Sequence, residues 1–278
     1  MKLVFATGPV QLDEDGKHLR RELGRALTEL LEVPVEVHAE KSYGALAERV
    51  STGEASIAWL PPATFVRALS AGTIQDVLSA ERVSGSAYQA ALFVRADSPF
   101  QTIESLRGKS VAWVDKDSCA GFLFPALELR TQGFAHHELF AQQSFLESHS
   151  RVVRAVNNGD VDVGATYVQL HGVTDAAPSL EFVQTDLSSK LALVGWAPFV
   201  APSAMRPLLV SRSIPSDALC ITNAVPSPLR ETLLRYLLST SANAKLSRLF
   251  RGLMNADRFV VRTPETYEAV RTAMQDPA

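Results

Sequence analysis

Two hydrophobic periods take turns along the N-terminal part of the chain. KLVFAT is a short apolar run, as a strand is. DGKHLRRELGRALTELL follows, with Leu19, Leu23, Ala26, Leu27, Leu30 and Leu31 at helical spacing. PVEVHA alternates with period two, and SYGALAERVSTG opens on a serine cap and stops at Gly53. ASIAWL has the pattern of a buried strand, and ATFVRALSAG, after Pro61-Pro62, is helical again. This order predicts a parallel sheet with helices on its faces. A second series begins after the long strand YQAALFVRA. It runs through SPFQTIESLRGKSVAWV, SCAGFLFPALELRTQG, the strand ELFAQQSF, the helix SRVVRAVNNG and the strand VDVGATY. Residues 171–205 carry no clear period and read as loop-rich. RPLLVSRSIPSDALCIT is extended, and PSPLRETLLRYLLSTS and PETYEAVRTAMQ close the chain as helices. Two α/β units, with the chain passing from one to the other and back, predict a ligand cleft between them. In open α/β sheets ligands sit beyond the carboxyl ends of the strands.

Composition narrows the function classes. A chain of 278 residues, 46% apolar and 21% charged, buries a substantial core in one large or two modest domains. A net charge of −3 argues against a nucleic-acid or anionic-membrane surface. No apolar run reaches the ~18 residues of a membrane span. The first ten residues lack the apolar region and cleavage site of a secretory signal. That start fits a periplasmic protein whose signal has been removed, and it fits a cytoplasmic protein.

The chemical motifs are sparse. RGKS, Arg107 to Ser110, ends like a phosphate-binding P-loop, but Ile103 stands where the loop needs glycine and a strand follows instead of a helix. The dinucleotide, nucleophile-elbow and zinc-protease signatures are missing and no catalytic pair stands out, so neither a cofactor nor a metal is expected. His136-His137 reads as a solvated turn. Cys220, in DALCIT, reads as a small core residue. The stretch VDKDSCAGFLFP places Ser118, Cys119, Ala120 and Gly121 in a turn between a strand and a helix, a layout that aims backbone N–H groups at an anion. His149, beside Ser148 and Ser150, precedes the next helix, where an anion is also favoured. Tyr43, Trp59 and Asp217 read equally as a half-buried aromatic, a core aromatic and a turn residue.

Order and spacing add what the single residues lack. VPVEVHAEKSYGALAERVSTGEASIAWLPPATFVRA resembles the periplasmic phosphonate-binding family of ABC-transporter proteins, whose ligands include phosphite and related oxyanions. ALFVRADSPFQTIESLRGKSVAWVDKDSCAGFLFP, SHSRVVRAVNNGDVDVGATY and SIPSDALCI are similar to the same family, in the same order. The resemblance implies a two-domain clamp of the type II periplasmic-binding-protein class, each domain a mixed sheet flanked by helices. It divides the chain into residues 1–94 plus 206–278 and residues 95–205. It implies a non-enzymatic, monomeric receptor, with an ABC permease or the periplasmic domain of a sensor histidine kinase as partner.

The resemblance also implies a ligand set. Ser118-Cys119-Ala120-Gly121 stands at the family's Ser-Thr-Ser-Gly oxyanion turn, His149 at its oxyanion histidine, and Tyr43, Tyr88 and Asp217 in its wall, with Trp59 a further candidate ligand contact. Two departures stand out. Cys119 and Ala120 replace hydroxyl donors, each worth about 1.5–3 kcal/mol to a charged ligand, and Gln169 stands where the family often has an acid for a ligand amino group. The family is also similar to a branch of arsenite-binding sensors that use a cysteine, which makes Cys119 a candidate arsenic ligand because sulfur is a soft donor. An enzyme on the same clamp, like those of the menaquinone pathway, is the alternative.

Overall fold

The computed structural model describes residues 1–8, 14–82, 85, 87–170, 193–239 and 244–275. The chain divides into two compact units, Met1–Ser86 with Pro215–Glu268 and Ala87–Ile214 with Ala269–Ala278. Most of the segment expected to be loop-rich lies outside the described residues.

The first unit is built on a six-stranded sheet. In chain order its strands are β1 (Leu3–Thr7), β2 (Val35–Ala39), β3 (Ile57–Leu60), β4 (Ile74–Glu81), β12 (Ala218–Thr222) and β13 (Arg258–Val261). They lie side by side as β13-β4-β12-β3-β1-β2. β1 pairs parallel with β2 and β3, as the first three strand–helix repeats predict. The rest is antiparallel, because β12 returns from the far end of the chain to lie between β3 and β4. The sheet is therefore mixed. Helices α1 (Glu14–Leu31), α7 (Ser227–Leu238) and α8 (Ala244–Met254) bury Leu23, Leu27, Leu233, Leu246 and Phe250 against Phe5, Leu78 and Leu219. Each such side chain contributes roughly 1.5–3 kcal/mol when fully buried. Helices α2 (Tyr43–Ser51) and α3 (Pro62–Leu69) pack on each other.

The second unit carries the other sheet, in the order β10-β5-β8-β6-β7. Its strands are β5 (Ala87–Arg95), β6 (Lys109–Trp113), β7 (Phe140–Phe145), β8 (Val163–Gln169) and β10 (Met205–Val210), with β9 (Leu193–Val194) on β8 and β11 (Ile214–Pro215) on β5. β5 and β10 hydrogen-bond to each other in this sheet, and the two compact units meet near residues 86 and 214. Helix α4 (Phe124–Thr131) follows β6, the helical turn α5 (His136–Leu139) precedes β7, and α6 (His149–Asn158) joins β7 to β8. α6 buries Val152, Val153 and Val156 among Phe93, Val168 and Trp196. Gly164 of β8 has to be glycine, since a Cβ there would stand 2.8 Å from Phe93, Val152 and Val156 alike. Helix α9 (Glu268–Gln275) ends the described chain. Among the described residues no helix is long and apolar enough to cross a membrane.

Candidate oxyanion site

Three parallel strands of the second unit end along one edge. β6 pairs with β7 at Trp113–Phe145 and with β8 at Ala112–Gly164, so the exits after Trp113 and Phe145 and the residues beyond Gly164 share that edge. Backbone bonds tie the first two exits together. Leu146 N–H donates to the Trp113 carbonyl at 2.9 Å, and Glu147 N–H to the Val114 carbonyl at 2.8 Å. Glu147 itself takes φ of 65°, a left-handed conformation that costs a non-glycine residue about 1 kcal/mol or more. Both exits lead into helices capped by serine.

The helix after β6 begins with a π turn, Cys119–Leu123, running directly into α4. Pro125 explains it. In an α-helix Pro125 would face the carbonyl of Gly121, to which it has no N–H to donate and with which its ring collides. The backbone widens instead: Phe124 N–H reaches the Cys119 carbonyl, and the Gly121 carbonyl accepts from Val114 N–H at 3.2 Å. Ser118 caps this turn, its Oγ accepting from Gly121 N–H at 3.0 Å. The Cys119 and Ala120 amides stand in the first turn of this helix. π turns concentrate at functional sites.

At the second exit Ser148 caps α6 by accepting from Arg151 N–H, and His149 is the first helical residue. His149 Nδ1 shares a 2.9 Å hydrogen bond with the Thr166 hydroxyl on β8, and its ring meets Tyr167 edge-on at 5.3 Å. By surface area His149 is half-buried, yet its ring sits deep enough for desolvation to push its pKa down to about 4. The imidazole is therefore neutral at pH 7. Between pH 6.5 and 4 the unfolded chain binds a proton that the folded protein rejects, so stability falls as pH drops through this window. The expected loss is about 1–3 kcal/mol after discounting for partial exposure. Urea unfolding at pH 7 and pH 4.5 checks this, and His149→Gln should flatten the difference.

The other residues read from the sequence are distributed as follows. Tyr88 lies on β5 of the second unit, half-buried. Gln169 is 5% exposed, and its amide donates to the Ala87 carbonyl at 3.1 Å. Tyr43 is the first residue of α2, after the Ser42 cap, and its ring closes on Gly8 so tightly that a Cβ there would lie 3.1 Å from it. Trp59 is 8% exposed and packs edge-on against Phe259 at 6.3 Å inside the first unit's core, as a core aromatic does. Asp217 is more than a turn residue. Arg82 Nη2 donates to its Oδ2 at 3.1 Å, and burial raises its pKa while the Arg82 charge pulls the other way.

Cys119 is 5% exposed, and neither cysteine is in a disulfide. Cys220 is wholly buried in β12 and its thiol is pushed far up by desolvation. His136 Nδ1 meets Gln143 Oε1 at 3.0 Å, and no group of three or more metal-binding side chains occurs among the described residues. Sequence reasoning missed Arg82, which carried no local signal; Thr166 lies in a strand correctly read, three residues from that strand's end.

Comparison with known proteins agrees with this architecture. The chain is 26% identical over 175 residues to the phosphate-import protein PhnD of Mycolicibacterium smegmatis, a match covering 59% of this chain and 54% of that protein, so the match spans about half of the relative's length. Among solved structures, PhnD1 from Prochlorococcus marinus in complex with methylphosphonate superposes with a TM-score of 0.73 at 16% identity, covering 99% of this chain and 97% of that one. A binding-protein component of an ABC phosphonate transporter from Pseudomonas aeruginosa gives 0.72 at 16% identity, covering 98% and 86%. These likenesses identify the fold as that of type II periplasmic binding proteins. The family model described as "ABC transporter, phosphonate, periplasmic substrate-binding protein" matches residues 5–267, nearly the whole chain. The chain belongs to the phosphonate-binding family of ABC-transporter periplasmic substrate-binding proteins.

Proposed function

We propose that the protein is a periplasmic receptor that captures a small oxyanion carrying a phosphonate-like group and delivers it to an ABC permease. One observation carries the reading. In a chain of this family, the Ser118-capped π turn, the neutral His149 and Thr166 meet at one edge of three parallel strands. In this reading the amides of Cys119 and Ala120 donate to the ligand oxygens, and His149 adds a hydrogen bond without adding charge. Tyr43, Tyr88 and Asp217 are further ligand contacts, and Trp59 is left out because its ring belongs to the core. The methylphosphonate of the Prochlorococcus protein and the phosphate import of the mycobacterial relative support this ligand class.

Cys119 and Ala120 favour a second ligand on the same turn. With a thiol and a methyl in place of two hydroxyls, the site suits arsenite, which is largely uncharged at neutral pH and binds sulfur. Thermal shift assays with phosphate, phosphite, methylphosphonate, arsenite and arsenate separate the two. A ligand at a hundred times its Kd stabilises by about 2.7 kcal/mol, which moves the midpoint by several degrees. Methylphosphonate or phosphite should shift wild type and Cys119→Ser alike. A shift by arsenite alone, lost in Cys119→Ser, assigns the site to arsenic.

A further inference from the structure

Arg82 and Asp217 are far apart in the chain, yet the first unit fixes them as a pair. Arg82 Nη2 donates to Asp217 Oδ2 at 3.1 Å, and Nη1 donates to Ser216 Oγ at 2.9 Å. The two charged side chains are 14% and 23% exposed. The backbone is held as well. Ala80 N–H donates to the Asp217 carbonyl at 3.2 Å, and the buried Tyr267 hydroxyl to the Ser216 carbonyl at 3.1 Å. Strand β4, the β11–β12 junction and Tyr267 therefore hold Asp217 from several sides.

This pairing changes what Asp217 offers a ligand. An uncompensated carboxylate attracts an ammonium group and repels an oxyanion. Here one carboxylate oxygen is bonded to a fixed guanidinium, so the pair is close to neutral. Gln169 points the same way from the second unit. It is an amide, and its Nε2 is already bonded to the Ala87 carbonyl.

We infer that Arg82 is a specificity-determining residue: by neutralising Asp217 it excludes ligands that bear a primary ammonium and favours oxyanions with no cationic group. This rests on Asp217 being a ligand contact, as proposed above.

Calorimetric titration of wild type, Arg82→Gln and the double variant Arg82→Gln/Asp217→Asn with methylphosphonate and 2-aminoethylphosphonate tests it. Wild type should prefer methylphosphonate. Arg82→Gln exposes the carboxylate, so the preference should move toward 2-aminoethylphosphonate by about tenfold or more. The double variant, having no carboxylate, should lose that gain, which ties it to Asp217 and not to loosened folding. An unchanged ratio in Arg82→Gln, with wild type still binding methylphosphonate, overturns the inference and leaves the oxyanion reading standing. If wild type binds neither probe at millimolar concentration, that reading fails and the role of Arg82 fails with it.

Discussion

Gly121→Ala is expected to lower the unfolding midpoint by several degrees and to weaken oxyanion binding at least tenfold. The added Cβ would lie 2.4 Å from Val114 Cβ, 2.5 Å from its Cγ2 and 2.7 Å from Ser118 Oγ. None of these atoms is the loose end of a flexible chain, and Val114 is 4% exposed. The turn has to open, which breaks the Ser118 Oγ to Gly121 N–H cap and the Val114 N–H to Gly121 carbonyl bond that shapes the π turn. Overpacking of this kind costs about 1–3 kcal/mol, and a lost serine cap costs up to about 2 kcal/mol more. Val114→Ala removes Cγ2 but keeps the closer Cβ, so the double variant should recover a small part of the loss, a non-additivity that two independent sites would not show. Gly44→Ala is the matched control. The nearest atom to its added Cβ is Ser42 Oγ at 3.8 Å, and alanine is the better helix former, so its midpoint should hold or rise.

The second large effect is expected at the other end of α4. Glu128 is 2% exposed, and its Oε1 accepts from Arg212 Nε at 2.7 Å and from Arg212 backbone N–H at 3.1 Å, while Oε2 accepts from Nη2 at 3.3 Å. The bond to Glu128 in turn raises the pKa of Arg212. The pair fastens the helix that carries the oxyanion turn to the segment leaving β10. Arg212→Ala leaves a buried carboxylate without its cation, which costs about 3–5 kcal/mol. That corresponds to a midpoint lower by roughly 10 °C for a chain of this size. Thermal melts of wild type and Arg212→Ala check the size of this loss. Glu128→Ala should cost less, because Arg212, with 35% of its side chain exposed, can turn to water.

Local patterns explain what the sequence disclosed. The parallel strands β1, β2 and β3, the capped helices α2 and α6, and the turn at Ser118 all follow from periodicity and capping residues close together in the chain. Ser42 caps where it was read, Ser148 is the one of the two serines beside His149 that caps α6, and Gly159 ends α6 with φ of 80°. Strand β4 was missed because its polar residues break the alternation, and Asp76 turns out to be paired with Arg230 of α7. Helix α8 was overlooked although Leu246, Leu249 and Phe250 form a readable stripe. The insertion of β12 between β3 and β4 has no local signature. The candidate site divides the same way. Ser118, Gly121 and His149 were picked out from turns and from resemblance and Trp59 as a core aromatic, whereas the burial of Cys119 and the partnership of Arg82 with Asp217 depend on contacts between distant segments. Pro125 did carry a signal for the π turn, since proline that close to a helix start fixes which carbonyl must find another donor.

The central claim is that the amides of Cys119 and Ala120, with His149, hold the oxyanion. Amide NMR of the ¹⁵N-labelled protein during titration with methylphosphonate tests it most directly. The expected result is that the Cys119 and Ala120 resonances move furthest and saturate together with the His149 side chain. Saturable binding that leaves those two amides in place, while resonances elsewhere move, would contradict it.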